Sequence, residues 1–427
     1  MAERRAVESP TADATAVEFL LRFTRVAHRA GYPTADLEER IVALASSLGL
    51  GEAEVSATPT IIEVSLGTLP SQRSYTLRVQ PTTVELNAIS RLDDLIQDVL
   101  DDRLDPGQAL AALAHIQATP LERKWPMMLA AYALAGAALT PVLGGGWSEA
   151  AAAAAVGLVV GAVALPARRT ARLEPMVAPV AAIAASFCAV ALVRLGIEAS
   201  PDVVTLAAIV TFLPGMTLTT GMRELAAQHL QSGVANTASA LVQLLGLAFG
   251  VGIGRSVATS WFGAVDAATT PQHVFVGVQL LAAVAAGLAF SLTLRARSRD
   301  ALLMSGATVL ALGANELGAA IFGDEAAVFV ATVTVGVVGG LLGSVLRRSP
   351  LVFIVPGVLM LVPGSAGFNS IVQLLTEETI SGINAGFDTF LTAMSIAYGL
   401  MVATVVLPRR FTQVAPHTAR VAETSSS

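Results

Sequence analysis

Hydroxyl and amide side chains gather just after two Pro-Gly dipeptides that interrupt long apolar stretches. Thr217, Thr219 and Thr220 follow Pro214-Gly215, and Ser365 and Asn369 follow Pro363-Gly364, 149 residues further on. Proline removes a backbone donor and clashes with the preceding turn, and glycine is a poor helix former, so each dipeptide should break its helix. In lipid the freed N–H and C=O groups need partners from protein or from a water-filled cavity. The half-helix ends also carry partial charges of about half an electron. A zwitterion suits such a place: its carboxylate meets exposed N–H groups and its ammonium meets carbonyls or a carboxylate. Paired interruptions in corresponding parts of a polytopic chain are the sequence mark of a transporter's binding site. The plainer alternative is that the hydroxyls bond to backbone within their own helices.

Ionisable groups inside apolar segments form the second set of candidates, because a charge buried in lipid is costly and generally functional. Glu316, with Asn315 beside it, lies in the stretch LALGANELGAAIF; Asp388 and Glu149 each open an apolar segment. A carboxylate in such a position could take up a proton during transport. For Glu149 and Asp388 the competing role is an interfacial helix start, where negative charge is favourable. The Arg223-Glu224 pair is expected at the cytoplasmic surface.

The elements that would position these residues follow from composition. Hydrophobic residues make up 54% of the chain and charged residues 14%, with a mean hydropathy of +0.67, against about 25% charged in soluble domains. Residues 1–124 hold 12 basic and 18 acidic side chains and so carry the whole net charge of −6; the remainder balances. An acidic soluble part therefore precedes a neutral membrane part. The acidic balance argues against nucleic acid as a partner. Cys188 is the one cysteine, the five histidines are scattered without metal-ligand spacing, and no cofactor motif is present. The first residues lack the apolar run of a signal peptide. Twenty-five arginines against one lysine, with abundant alanine, suggest a GC-rich bacterial source.

The soluble part reads as a small α+β domain: helices over 16–30 and from Thr34, strand-like runs over 54–58, 61–66 and 74–80, then helices over 83–103 and 106–117. His28, Glu38 and Glu39 are expected on helix surfaces. Ten apolar spans follow, near 127–143, 148–165, 175–195, 203–220, 234–254, 274–294, 302–322, 325–346, 351–369 and 387–407. Basic residues (Arg123/Lys124, Arg168/Arg169/Arg172, Arg223, Arg295/Arg297/Arg299, Arg347/Arg348, Arg409/Arg410) fall at every second boundary. Glu149, Asp202, Asp266, Asp324/Glu325 and Glu377/Glu378 mark the others; Arg255 is the main dissent. The positive-inside rule puts both termini in the cytoplasm.

Ten spans divide as five plus five, and an odd number means that repeated halves lie inverted in the bilayer. Laying 214–250 over 363–399 without a gap aligns the two Pro-Gly pairs, Leu225 with Leu374, Ser232-Gly233 with Ser381-Gly382, Ala248 with Ala397 and Gly250 with Gly399. The chain is thus expected to comprise a disordered tail (1–15), a cytoplasmic α+β domain (16–122), two five-span membrane repeats (123–258 and 259–410) and a disordered cytoplasmic tail (411–427).

The segments RFTRVAHRAGYPTADLEERIVALASSLGL, PTTVELNAISRLDDLIQDVLDDRLDPGQALAALAHI, GGGWSEAAAAAAVGLVVG, FLPGMTLTTGMRELAAQHLQSGVA and LMLVPGSAGFNSI resemble, in order, stretches of the bacterial threonine/serine exporter family. The resemblance spans nearly the whole chain. It implies a ten-span carrier in the bacterial plasma membrane that exports small hydroxy amino acids on the proton gradient, with protons and a small molecule as partners and a homo-oligomer as an open option. Two alternatives stay open: a carrier of small carboxylates or dipeptides, and a membrane-anchored enzyme or sensor. The last lacks any catalytic constellation, and an anchor needs neither ten spans nor two broken helices.

Overall fold

The computed structural model describes residues 10–79, 84–119, 121, 124–167, 173–263, 275–346, 348–362, 364–375 and 379–407. The described residues form two compact units that divide between Leu121 and Lys124, with 343–346, 348–349 and Leu407 grouped with the first.

The first unit contains α1 (Pro10–Arg29), α2 (Thr34–Ser47), β1 (Ala53–Ala57), β2 (Ile61–Leu66), β3 (Arg73–Arg78), α3 (Leu86–Leu100) and α4 (Pro106–Ala118). The strands form an antiparallel meander in the order β1-β2-β3, pairing Val55 with Val64 and Val64 with Tyr75. Alternation along β2 turns Ile62, Val64 and Leu66 inward, and Phe19, Phe23, Leu37, Ile41, Ile89 and Ile96 bring apolar helix faces to the same core. Asp105 and Gln108 close a capping box at the start of α4. α1 starts at Pro10, so residues 10–15, expected in a tail, are helical; proline is well tolerated in a first helical turn. His28 is buried and not on a surface, and Glu38 accepts the Ala57 N–H of β1 at 2.8 Å; Glu39 alone of the three is exposed.

The second unit is helical: α5 (Trp125–Leu139), α6 (Trp147–Ala167), α7 (Val177–Arg194), α8 (Pro201–Ile209), α9 (Gly215–Ala226) and α10 (Leu230–Phe262), then α11 (Val276–Thr293), α12 (Ala301–Phe322), α13 (Asp324–Leu346), α14 (Leu351–Leu361), α15 (Gly364–Leu375) and α16 (Thr379–Val406). Among the described residues nine helical segments are long and apolar enough to cross a membrane. The number is ten if α8 and α9, bent by 58° at their break, count as one.

The second six helices repeat the order of the first six: three long helices, two half-length ones meeting at a Pro-Gly pair, and a long closing helix. The packing repeats as well. A methyl group added at Gly233 would stand 2.8 Å from the Leu225 nitrogen, and one at Gly382 would stand 2.9 Å from the Leu374 nitrogen. Close approach through small residues also explains how the alanine-rich α6 packs. Methyls on Gly136 and Gly157 would come within 2.7 Å of the Ala153 and Tyr132 carbonyl oxygens, so α5 and α6 meet almost backbone to backbone.

Several expected boundaries move. The fourth span does not end at 220: α9 continues to Ala226, and the stretch 221–233 is a helix, a tight turn and a new helix. Gln228 makes that turn with φ of 67°, and its N–H and that of His229 bond back to Leu225 and Glu224. α16 starts at Thr379 rather than 387, and α10 runs to Phe262, so the repeat boundary at 258 falls inside a helix. Pro363, Arg123, Arg168, Arg169, Arg172, Asp266, Arg347, Glu377, Glu378, Arg409, Arg410 and the tail over 411–427 lie outside the described residues, as do the domain boundaries at 122 and 410.

Candidate functional site

At the first break α8 tightens into a 3-10 turn over Val210–Phe212, Leu213 takes an extended conformation (φ −65°, ψ 125°), and Pro214 accepts the first bond of α9 from the Leu218 N–H at 2.9 Å. Val362 adopts the same extended conformation (φ −65°, ψ 132°) before Gly364 opens α15. The two breaks meet. A methyl on Gly215 would overlap Cγ1 of Val362, and one on Gly364 would lie 3.0 Å from Cβ of Leu213 and 3.8 Å from Cα of Gly215. Leu213 faces Gly364 while Gly215 faces Val362, so the two broken segments cross in antiparallel register.

This crossing brings the starts of α9 and α15 side by side. Each start has N–H groups with no intrahelical partner and the positive end of a helix dipole. The ends of α8 and α14, with spare carbonyls, lie at the same crossing. One of those carbonyls is taken: Nε2 of Gln243, on α10, donates to the Phe212 oxygen at 2.8 Å.

Thr219 is buried, 2% exposed, and its hydroxyl has no hydrogen-bond partner; the Thr211 hydroxyl before the break is also buried and unpartnered. Several other buried threonines bond to the carbonyl one turn back, as Thr140, Thr332 and Thr389 do at 2.7–2.8 Å. Thr219 departs from that habit. Thr217, Thr220 and Ser365 are half-buried, Pro214, Gly215 and Gly364 are buried, and Asn369 is exposed. The neighbouring Ser370 is the buried one, donating to the Gly382 carbonyl at 2.7 Å.

The carboxylates are placed differently from one another. Glu149 is buried near the start of α6, where it accepts from the Gly146 N–H (3.0 Å), the Ser148 hydroxyl (2.9 Å) and the Ser200 N–H (3.3 Å). These bonds tie the start of α6 to the residue that precedes α8. Glu316 is exposed, while the Asn315 side-chain oxygen is buried without a partner. Asp388 does not open its helix: it lies in the third turn of α16 and is exposed.

Three polar residues of α9 and α10 were not anticipated as site residues. Gln243 caps the broken helix. Glu224, expected at the surface, is 1% exposed, and it accepts from Nδ2 of Asn236 at 2.7 Å. The available signal was an amide side chain at Asn236 and at Gln243 within a helix long and apolar enough to cross a membrane. Arg255, the dissent from the charge pattern, is paired with Asp202 at 2.8 Å, so it adds no net charge at its end of α10.

Two family models match successive parts of the chain. A threonine/serine exporter family model matches residues 18–258, and a second, described as threonine/serine exporter ThrE, matches residues 279–406. The chain is 23% identical over 394 residues to a threonine/serine exporter of Corynebacterium glutamicum, covering 87% of this chain and 78% of that one. It is 26% identical over 408 residues to a probable threonine/serine exporter of Mycobacterium tuberculosis, covering 90% and 75%. It is also 25% identical over 399 residues to pheromone-regulated membrane protein 10 of Saccharomyces cerevisiae, covering 91% of this chain and 52% of that protein. No solved structure matches.

Proposed function

The chain belongs to the threonine/serine exporter family, and from that premise we propose that it is a secondary exporter of small amino acids, L-threonine and L-serine first, driven by the proton gradient. The observation that carries this reading is the antiparallel meeting of the two helix breaks. In the proposed site the substrate carboxylate takes N–H groups at the starts of α9 and α15, helped by two positive dipole ends. The ammonium takes carbonyls at the ends of α8 and α14, and the substrate hydroxyl meets the threonine side chains that follow the first break, Thr219 among them. The repeat and the antiparallel crossing favour halves that lie inverted in the membrane, while the loop charges favour cytoplasmic termini and the bacterial relatives favour a bacterial plasma membrane. Alternating access would then tilt one half against the other around the shared crossing.

A small carboxylate could use the same N–H groups, but it would leave the carbonyl ends without a cationic partner. Efflux from proteoliposomes preloaded with labelled threonine, serine or a small dicarboxylate separates these readings. Ionophore-sensitive efflux of the two hydroxy amino acids is expected. Efflux of the dicarboxylate alone would favour the second reading, and no gradient-dependent movement of any of them would sink both.

A further inference from the structure

We infer that Glu224 is the carboxyl group that binds the coupled proton, held by Asn236 within the α9–α10 hairpin; this rests on the proton-driven reading above. Glu224 is 1% exposed. One of its oxygens accepts a single hydrogen bond, from Nδ2 of Asn236 at 2.7 Å, and the other, Oε1, is buried with no partner. An ionised carboxylate offers about four acceptor positions, and enclosing a charge without partners is expensive. A carboxyl group escapes that expense if it carries a proton while enclosed and gives it up when the hairpin opens to water.

The surroundings suit this role. Apolar Leu218 and Met222 of α9 pack with Ala240 of α10 and Ala393 and Ala397 of α16, beside the hairpin. On its own hairpin Glu224 is flanked by Arg223 and by His229, whose backbone N–H donates to the Glu224 carbonyl at 2.8 Å. α10 adds Arg255, already paired with Asp202; α16 adds the exposed Asp388 and Tyr398; α14 has no ionisable side chain. Glu224 lies on α9, the same short helix whose first residue touches the opposite break, so a shift of that helix moves the carboxyl and the substrate site together. In the second half the position that matches Glu224 is Gln373, 149 residues later. An amide of the same shape cannot titrate, so the repeat supplies one protonatable position here and not two. In each cycle one O–H bond forms at Oε1 from one aqueous phase and breaks into the other.

The test uses the full chain in proteoliposomes, with labelled L-threonine and a pH-sensitive dye inside. Two activities are read: threonine counterflow, which needs no proton, and threonine-dependent proton movement. Glu224→Gln should keep counterflow and lose proton movement to the level of empty vesicles, while Glu224→Asp keeps both. If the unmodified chain moves protons with threonine and Glu224→Gln still does so, the inference is overturned. If the unmodified chain exports threonine without moving protons, the proton-driven reading fails first and takes the inference with it. Should Glu224→Gln lose counterflow too, the unmodified protein decides: a hydrophobic carbodiimide, which attacks enclosed protonated carboxyls, should label Glu224 and block proton movement. Block with labelling at Glu316 or Asp388 alone overturns the assignment.

Discussion

Substituting Gly215 by alanine tests the crossing of the two breaks. The added Cβ would overlap Cγ1 of Val362 and lie 3.1 Å from its Cβ, so the helices must separate or Val362 must leave its rotamer. Overpacking of this kind costs about 1–3 kcal/mol. Alanine is otherwise the better helix residue by up to about 1 kcal/mol, so any loss of stability must come from the clash. Val362→Ala removes the obstructing methyl groups and opens room, which makes the pair a double-mutant cycle. Gly215→Ala should destabilise the protein in mixed detergent micelles, and adding Val362→Ala should recover most of the loss, giving a coupling energy of about 1–3 kcal/mol. Threonine efflux should follow the same pattern. The reciprocal Gly364→Ala, whose methyl meets Leu213 Cβ at 3.0 Å, asks for a movement of only tenths of an ångström and should be milder. Additive effects of Gly215→Ala and Val362→Ala would refute the crossing.

Two further outcomes are expected. Gln243→Leu strands the Phe212 carbonyl, which should cost about 1–3 kcal/mol of stability in detergent; stability unchanged by the substitution would mean that the carbonyl is satisfied otherwise. In the first unit burial holds the His28 imidazole below its ordinary pKa of 6.5, although a backbone bond involving Thr58 acts the other way. The unfolded form therefore binds the proton first, and stability is full above about pH 6.5 and falls as pH drops through the lower folded value. Protection of α1 amides from hydrogen exchange in the full chain, taken relative to the intrinsic exchange rate at each pH, should fall between pH 7 and pH 5. His28→Gln should remove that fall, and an unchanged fall in the variant would contradict the origin assigned to it.

Much of the architecture was readable because its signals are local. The breaks at Pro214-Gly215 and Pro363-Gly364, 149 residues apart, suggested a repeat before any packing was known, although Pro-Gly is not a breaker everywhere: Pro356-Gly357 lies inside α14. The strands were placed to within two residues because Pro59, Gly67 and Pro70 punctuate them. The 221–233 joint was misread because its turn uses Gln228 in a left-handed conformation, with neither glycine nor proline to announce it. Charged residues in a supposed loop then sent Glu224 to the surface. Partnerships across the fold were also hidden: nothing near Arg255 in the sequence points to Asp202, 53 residues earlier, and nothing near Glu149 points to the Ser200 N–H. The antiparallel sense of the crossing came only from seeing which residue faces which glycine.

The claim that the crossing is the substrate site can be put to a direct measurement. Cys188 is the only cysteine, so a Cys188→Ser protein can carry Thr217→Cys beside the first break without background labelling. A small membrane-impermeant thiol reagent should modify that cysteine in proteoliposomes, and L-threonine or L-serine, but not a bulky amino acid such as L-tryptophan, should protect it. If labelling proceeds at the same rate with saturating threonine while the variant still exports it, the substrate passes elsewhere and the two breaks are not its binding site.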